Sequence, residues 1–153
     1  MKYKLLVMDV DGTLTDGRLY YSSDGEAMKA FDVKDGYGIV SFIQAGGIPV
    51  IITGRKSGIV EQRCRELGIT EVHQGVEDKL DKLKEVSVRL VVPSEQIAYI
   101  GDDLTDLDCM RFCGFSACPK DSIATLKDYV DYVCTHKGGR GAVREVVDQI
   151  MRE

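Results

Sequence analysis

The sequence has no surplus of positive charge, no apolar run long enough to span a membrane and no cysteine pair in C-x-x-C spacing. Each absence excludes a class of protein. With 25 Asp and Glu against 20 Lys and Arg, the formal net charge is −5. Binding to nucleic acid or to an anionic membrane surface requires a positive face, so neither partner is expected. Met1-Lys2-Tyr3-Lys4 does not open the long apolar segment of a signal peptide, which makes a cytoplasmic location the expectation. The five cysteines, Cys64, Cys109, Cys113, Cys118 and Cys134, are odd in number. Cys109 and Cys113 would lie one helical turn apart, but without zinc or redox spacing they read as small core residues. Repeats, linkers and low-complexity segments are also missing. The 153 residues therefore read as one domain, 1–153, long enough to bury roughly 70% of its unfolded surface.

What is present centres on Lys4-Leu5-Leu6-Val7-Met8-Asp9-Val10-Asp11-Gly12-Thr13. A mostly apolar run that ends in acids and glycine predicts a buried parallel strand leading into a loop. Carboxylates at the carboxyl end of such a strand stand where open α/β sheets bind ligands. If the backbone stayed extended, Asp9 and Asp11 would point to one side. Gly12 permits a sharp turn and close approach of backbone N–H groups to an anion. Two acids beside an anion site need a cation between them, which points to a hard divalent metal and a phosphate.

Downstream, Tyr20-Tyr21 and Phe31-x-Val33 flank Ser-Ser-Asp-Gly, which predicts a β-hairpin inserted at about 16–33. A hairpin is marginal alone, so its aromatic residues should pack against something, a neighbouring subunit being one candidate. Asp35-Gly36-Tyr37-Gly38 is expected to open a helix over Ile39–Ala45. Strands are predicted at Ile48–Thr53, Glu71–Gln74, Ile97–Ile100, Phe115–Cys118 and Asp131–Cys134. Helices are predicted over Ser57–Leu67, Val76–Val92, Leu104–Phe112, Ile123–Lys127 and Ala142–Arg152. The alternation predicts an α/β fold: a Rossmann-like, mostly parallel sheet flanked by helices, with the hairpin after its first strand.

The strand ends gather Asp9, Asp11, Thr53, Lys79, Asp102, Asp103 and Asp106 along one edge. Taken singly, an Asp after a strand is usually a helix cap, and a lone Thr or Lys is usually structural. Five acids at one edge are different, because they would repel without a cation. Each group suits phosphoryl transfer: a carboxylate can attack phosphorus, a second can shuttle the proton, and Thr and Lys can hold the non-bridging oxygens.

Asp9-Val10-Asp11-Gly12-Thr13, Thr53-Gly54, Lys79 and Gly101-Asp102-Asp103 together resemble the four motifs of the haloacid dehalogenase superfamily. The resemblance implies that Asp9 is the nucleophile and Asp11 the general acid/base. It implies that Thr53 and Lys79 bind the phosphoryl group. Mg²⁺ would be held by Asp9, the Asp11 backbone carbonyl and Asp102, with Asp103 and Asp106 supporting that site from behind. The segments between the motifs are too short for a folded cap domain.

A narrower resemblance is carried by Leu14-Thr15-Asp16-Gly17, Phe31 to Gly38, Ile51-Ile52-Thr53-Gly54-Arg55 and Gly138-Gly139-Arg140-Gly141-Ala142-Val143-Arg144-Glu145. These are similar to the family of phosphatases acting on 3-deoxy-D-manno-octulosonate 8-phosphate, an anionic sugar phosphate. That likeness implies a homotetramer assembled through the hairpins, with the C-terminal segment near a neighbour's site. Gly54, Arg55, Arg63 and Arg140 would face substrate, Arg140 from the adjacent subunit. Leu107-Asp108-Cys109 departs from the family pattern. A nine-carbon sugar acid 9-phosphate is the alternative substrate, and Arg55 favours the eight-carbon acid. A phosphorylation-switched receiver domain shares the acids, Thr and Lys, but its acceptor Asp lies in mid-chain. A catalytically idle assembly subunit is disfavoured by the intact acid set, which would cost stability around an empty site.

Overall fold

The computed structural model describes all 153 residues. The expected alternation is present, and one sheet organises it. Strands β1 (Leu5–Met8), β4 (Ile48–Ile52), β5 (Glu71–His73), β6 (Ile97–Ile100), β7 (Phe115–Cys118) and β8 (Tyr132–Val133) form a six-stranded sheet in the order β5-β4-β1-β6-β7-β8. Every pairing in it is parallel. β1 is apolar throughout because both of its faces are covered. Leu6 and Met8 join Ile39, Phe42, Val143 and Val147 on one side, while Leu5 and Val7 join Leu83, Val86 and Met110 on the other. The first face is closed by α1 (Val33–Gln44), α2 (Gly58–Leu67) and α5 (Ala142–Ile150). The second is closed by α3 (Lys79–Leu90) and α4 (Leu107–Phe112). The chain leaves β1 toward β4 and β5 and returns to its other side at β6, so the order reverses beside β1. A crevice opens there at the carboxyl ends of β1 and β6.

Several boundaries differ from expectation. β2 (Tyr20–Ser22) and β3 (Gly25–Met28) form the antiparallel hairpin, outside the main sheet. Its second strand ends at Met28 and excludes Phe31-x-Val33, because Phe31 turns inward against the core and Val33 begins α1. That helix starts earlier than Gly-rich Asp35–Gly38 suggests, since Asp32 accepts the Lys34 N–H at 2.7 Å and caps it. The glycines inside it serve close packing instead. A Cβ on Gly36 would lie 2.6 Å from Arg63 of α2, and one on Gly38 would lie 3.0 Å from Arg144 of α5. Helix α3 begins at Lys79 and not at Val76, because Asp78 caps it by accepting the Asp81 N–H at 2.9 Å. Leu104–Asp106 is a 3₁₀ turn ahead of α4, and Ala124–Asp128 is likewise 3₁₀. No helix is long and apolar enough to cross a membrane.

Asp35 ties α1 to α5: its carboxylate accepts the Arg144 N–H at 2.9 Å and the Gly141 N–H at 3.4 Å. Burial nonetheless pushes its carboxyl up to about 6, against those two hydrogen bonds. A carboxyl that holds its proton more tightly folded than unfolded stabilises fully below its unfolded pKa. That contribution is lost as pH rises through about 6. Asp35→Asn removes the titration, so its melting temperature relative to the parent should climb between about pH 4 and about pH 7. Thermal unfolding across that range checks this, and a pH-independent difference would contradict it.

Candidate active site

At the end of β1 the Asp9 N–H donates to the Ile100 carbonyl at 3.1 Å, which joins the ends of β1 and β6. The chain then folds back tightly, with Thr13, Leu14 and Thr15 all donating N–H groups to the Val10 carbonyl. Gly12 sits at φ 89°, and a Cβ there would collide with Asp102 Oδ2. Glycine is required at this position both for the backbone angle and for room. Thr13 Oγ1 lies 3.3 Å from Asp102 Oδ1 and donates to it. Gly138 and Gly139 pack on the same loop from the other side. The Gly139 N–H donates to the Thr13 carbonyl at 2.9 Å, and a Cβ on Gly138 would collide with the Gly12 carbonyl.

Lys79, at the first turn of α3, brings a buried ammonium to this edge. Its Nζ lies 3.2 Å from Asp9 Oδ1 and 2.8 Å from Asp106 Oδ1. Asp106 is fully buried and saturated. Its Oδ1 accepts from Lys79 and from the Tyr99 hydroxyl at 2.7 Å, and its Oδ2 accepts the Asp102 and Asp103 N–H groups at 3.1 and 3.3 Å. Burial opposes the Lys79 charge, but Asp9 and Asp106 outweigh it and raise the lysine pKa. Asp9 is raised by burial and then by the Asp106 charge, with Lys79 opposing. Asp102 is pushed up to about 8, by burial first and then by Asp9 and Asp106.

An open cleft of about 560 Å³ lies at this edge. Asp9, Asp11, Thr53, Gly54, Arg55, Lys79, Asp102 and Asp103 all border it, so the predicted convergence is present. Asp106 lies behind it, holding Lys79 and the Asp102–Asp103 backbone. Asp11 borders the same cleft but meets different partners from Asp9: Lys29 Nζ lies 2.6 Å from its Oδ1 and Arg55 Nε lies 3.8 Å from its Oδ2. Arg55 also donates to the Tyr21 hydroxyl at 3.0 Å. Two expected substrate residues stand elsewhere in the chain. Arg63 lies over the Phe31 ring and pairs with Glu66 at 3.3 Å. Arg140 borders a separate pocket with Lys34, His136 and Arg144. Lys29 and Tyr99 were not singled out from sequence. Lys29 belongs to a hairpin with no catalytic signature, and Tyr99 reads as one more apolar strand residue.

Oxygens of Asp9, Asp102 and Asp106 lie within 4.8 Å of one another. The donor set is carboxylate oxygen throughout, which suits a hard divalent cation. Asp106 has no lone pair left for it, so Asp9 and Asp102 are the side chains that fit.

A buried acid–lysine cluster at the switch point of a parallel sheet is a site for an anionic group held with a cation. The sequence profile of haloacid dehalogenase-like hydrolases matches residues 68–146. The chain is 45% identical over 148 residues to the 3-deoxy-D-manno-octulosonate 8-phosphate phosphatase KdsC of Escherichia coli K12, covering 97% of this chain and 79% of that protein. The crystal structure of the Yersinia pestis phosphatase of the same name superposes with a TM-score of 0.97 at 45% identity, covering 99% of this chain and 82% of that one. The Moraxella catarrhalis phosphatase, solved with magnesium, phosphate and KDO, gives a TM-score of 0.95 at 44% identity, with 99% and 87% coverage. A Haemophilus influenzae relative, solved in a cobalt-bound form, gives 0.96 at 39% identity, with 99% and 88% coverage. The chain belongs to the haloacid dehalogenase-like hydrolases and, within them, to the KdsC-like phosphatases, which are phosphoric monoester hydrolases.

Because Asp106 carries four hydrogen bonds, one of them a buried ion pair with Lys79, its loss should cost far more than loss of one donor to it. Asp106→Asn should lower stability by about 3–5 kcal/mol, and Tyr99→Phe by about 1 kcal/mol. Urea unfolding of both variants measures this, and equal losses would contradict the role of Asp106 as the hub.

Proposed function

We propose that this protein hydrolyses 3-deoxy-D-manno-octulosonate 8-phosphate to the free sugar acid and phosphate, through an aspartyl-phosphate on Asp9. The observation that carries the chemistry is Asp9 held by Lys79 on the wall of an acid-lined cleft. The likeness to KdsC phosphatases over nearly the whole chain supports the substrate. Asp9 attacks phosphorus while the bond from phosphorus to the leaving alkoxide breaks, and Asp11 gives that oxygen its proton. Water then attacks the aspartyl-phosphate, passes a proton to Asp11 and releases phosphate and free Asp9. The Lys79 ammonium and Thr53 hydroxyl hold the non-bridging oxygens as charge spreads over them. The Asp9 carboxylate, the Asp11 backbone carbonyl and the Asp102 carboxylate would hold Mg²⁺, which when bound neutralises charge between carboxylates and phosphate. Asp103 supports that site beside Asp102.

Arg55 takes the substrate carboxylate in this reading, because its planar fork suits a carboxylate and its side chain is half exposed at the cleft. Leu19, Tyr21 and Met28 leave an apolar surface on the hairpin, which supports assembly of a homotetramer through it. Such an assembly would carry Arg140 toward a neighbour's substrate. The location proposed is the cytoplasm.

Phosphate release from a panel of sugar phosphates, with and without Mg²⁺, tests the reading. Release should be fastest from the eight-carbon acid, stop on chelation of the metal, and fall by at least about 10³-fold in Asp9→Asn. Faster turnover of the nine-carbon acid would overturn the substrate assignment. Arg55→Ala should raise KM for the sugar acid phosphate about tenfold and leave a neutral sugar phosphate unchanged. Equal effects on both substrates would remove Arg55 from carboxylate recognition.

A further inference from the structure

The hairpin does more than present an apolar surface. Lys29, just past the end of β3, reaches back to the catalytic loop, and its side chain is only 2% exposed. Its ammonium meets Asp11 Oδ1 at 2.6 Å and lies 2.9 Å from Glu26 Oε1. It does not border the cleft, whereas Asp11 and Arg55 do. The two oxygens of Asp11 are thereby made unequal. Oδ1 is engaged by the Lys29 ammonium, whereas Oδ2 has only the distant Arg55 Nε, at 3.8 Å.

We propose that Lys29 is a positioning residue for the acid/base step: by binding Oδ1 it fixes the Asp11 carboxyl so that Oδ2 delivers the proton to the leaving oxygen. The inference rests on the assignment of Asp11 as general acid. The balance is that of the reaction already given. The bond from Asp9 to phosphorus forms, the bond from phosphorus to the alkoxide breaks, and the alkoxide oxygen takes the proton carried by Asp11 Oδ2. Lys29 keeps all of its protons and contacts no substrate atom. Glu26 serves as the second partner of the ammonium, which burial alone would disfavour; together the two carboxylates outweigh burial and raise the Lys29 pKa. A lysine in this role explains why a cation is buried beside a group whose task is to give up a proton. It orients the carboxyl through the oxygen that does not react.

Leaving-group dependence separates this role from a structural one. An alkoxide leaving group needs the proton, whereas p-nitrophenolate leaves without it. The comparison uses kcat/KM, which reports steps only as far as phosphorylation of Asp9. Lys29→Met should lower kcat/KM for the sugar acid phosphate by about 30-fold and change that for p-nitrophenyl phosphate by less than about twofold. The double variant Glu26→Gln with Lys29→Met leaves no stranded carboxylate in the hairpin and should show the same selective loss. Turnover of the aryl phosphate reports a folded site in each variant. Equal losses on both substrates, or no loss on either, would overturn the proposal. Asp11→Asn measured alongside separates the two failures. A selective loss in Asp11→Asn without one in Lys29→Met sinks only the role of Lys29. A non-selective Asp11→Asn sinks the acid assignment and this inference with it.

Discussion

The site depends on one buried cation held between two carboxylates. Lys79 lies close to both Asp9 and Asp106, and without it the acids at the ends of β1 and β6 would face one another across a poorly solvated gap. Desolvation of such groups costs several kcal/mol each, and only good geometry with saturated hydrogen bonding offsets it. Asp106 meets that condition with four donors. Asp9 and Asp102 lack such a set of donors, and burial first, then the charge of neighbouring carboxylates, raises the pKa of both. The contrast sorts the acids by task. The saturated carboxylate organises the site, and the two with unfilled oxygens border the cleft.

Close approach of glycine backbone constrains this cluster as well. Gly12 passes against the Asp102 carboxylate, Gly101 packs against the Asp106 side chain, and Gly138 abuts the Gly12 carbonyl. In each case a methyl group would collide, so three stretches remote in sequence share one requirement for glycine. The Gly138–Gly141 turn also leads directly into α5, whose first turn is tied to α1 through Asp35. The C-terminal helix is therefore mechanically continuous with the loop that carries Asp9 and Asp11.

This explains which parts were legible in the sequence. The buried strands announce themselves as apolar runs, and the acids follow them by fixed short spacings, so the parallel sheet and its acid-lined edge could be read from local pattern and motif resemblance, whereas the strand order could not. Element starts could not, where two signals compete. Asp35-Gly36 looked like a helix opening, but Asp32 caps earlier and the glycines answer to α2 and α5. Arg63 carried the right charge for a sugar acid, yet its position on α2 sends it to Phe31 and Glu66. Lys29 and Tyr99 became visible only in three dimensions, since each acts on a residue from an element whose own sequence advertises something else.

The hairpin is the clearest instance. As an isolated two-stranded unit it would be marginal in water, and its outer surface is apolar, with Tyr21 61% and Met28 56% exposed. Its anchors to the rest of the chain include two cationic contacts, Lys29 with Asp11 and Arg55 with Tyr21. Those contacts are electrostatic and directional, whereas the exposed surface is apolar and non-directional. A partner covering the apolar surface would hold the hairpin down without competing for its polar anchors. Such a partner and the placement of the Asp11 carboxyl would then be linked through one small element: whatever orders the hairpin also orders the ammonium that pairs with Asp11.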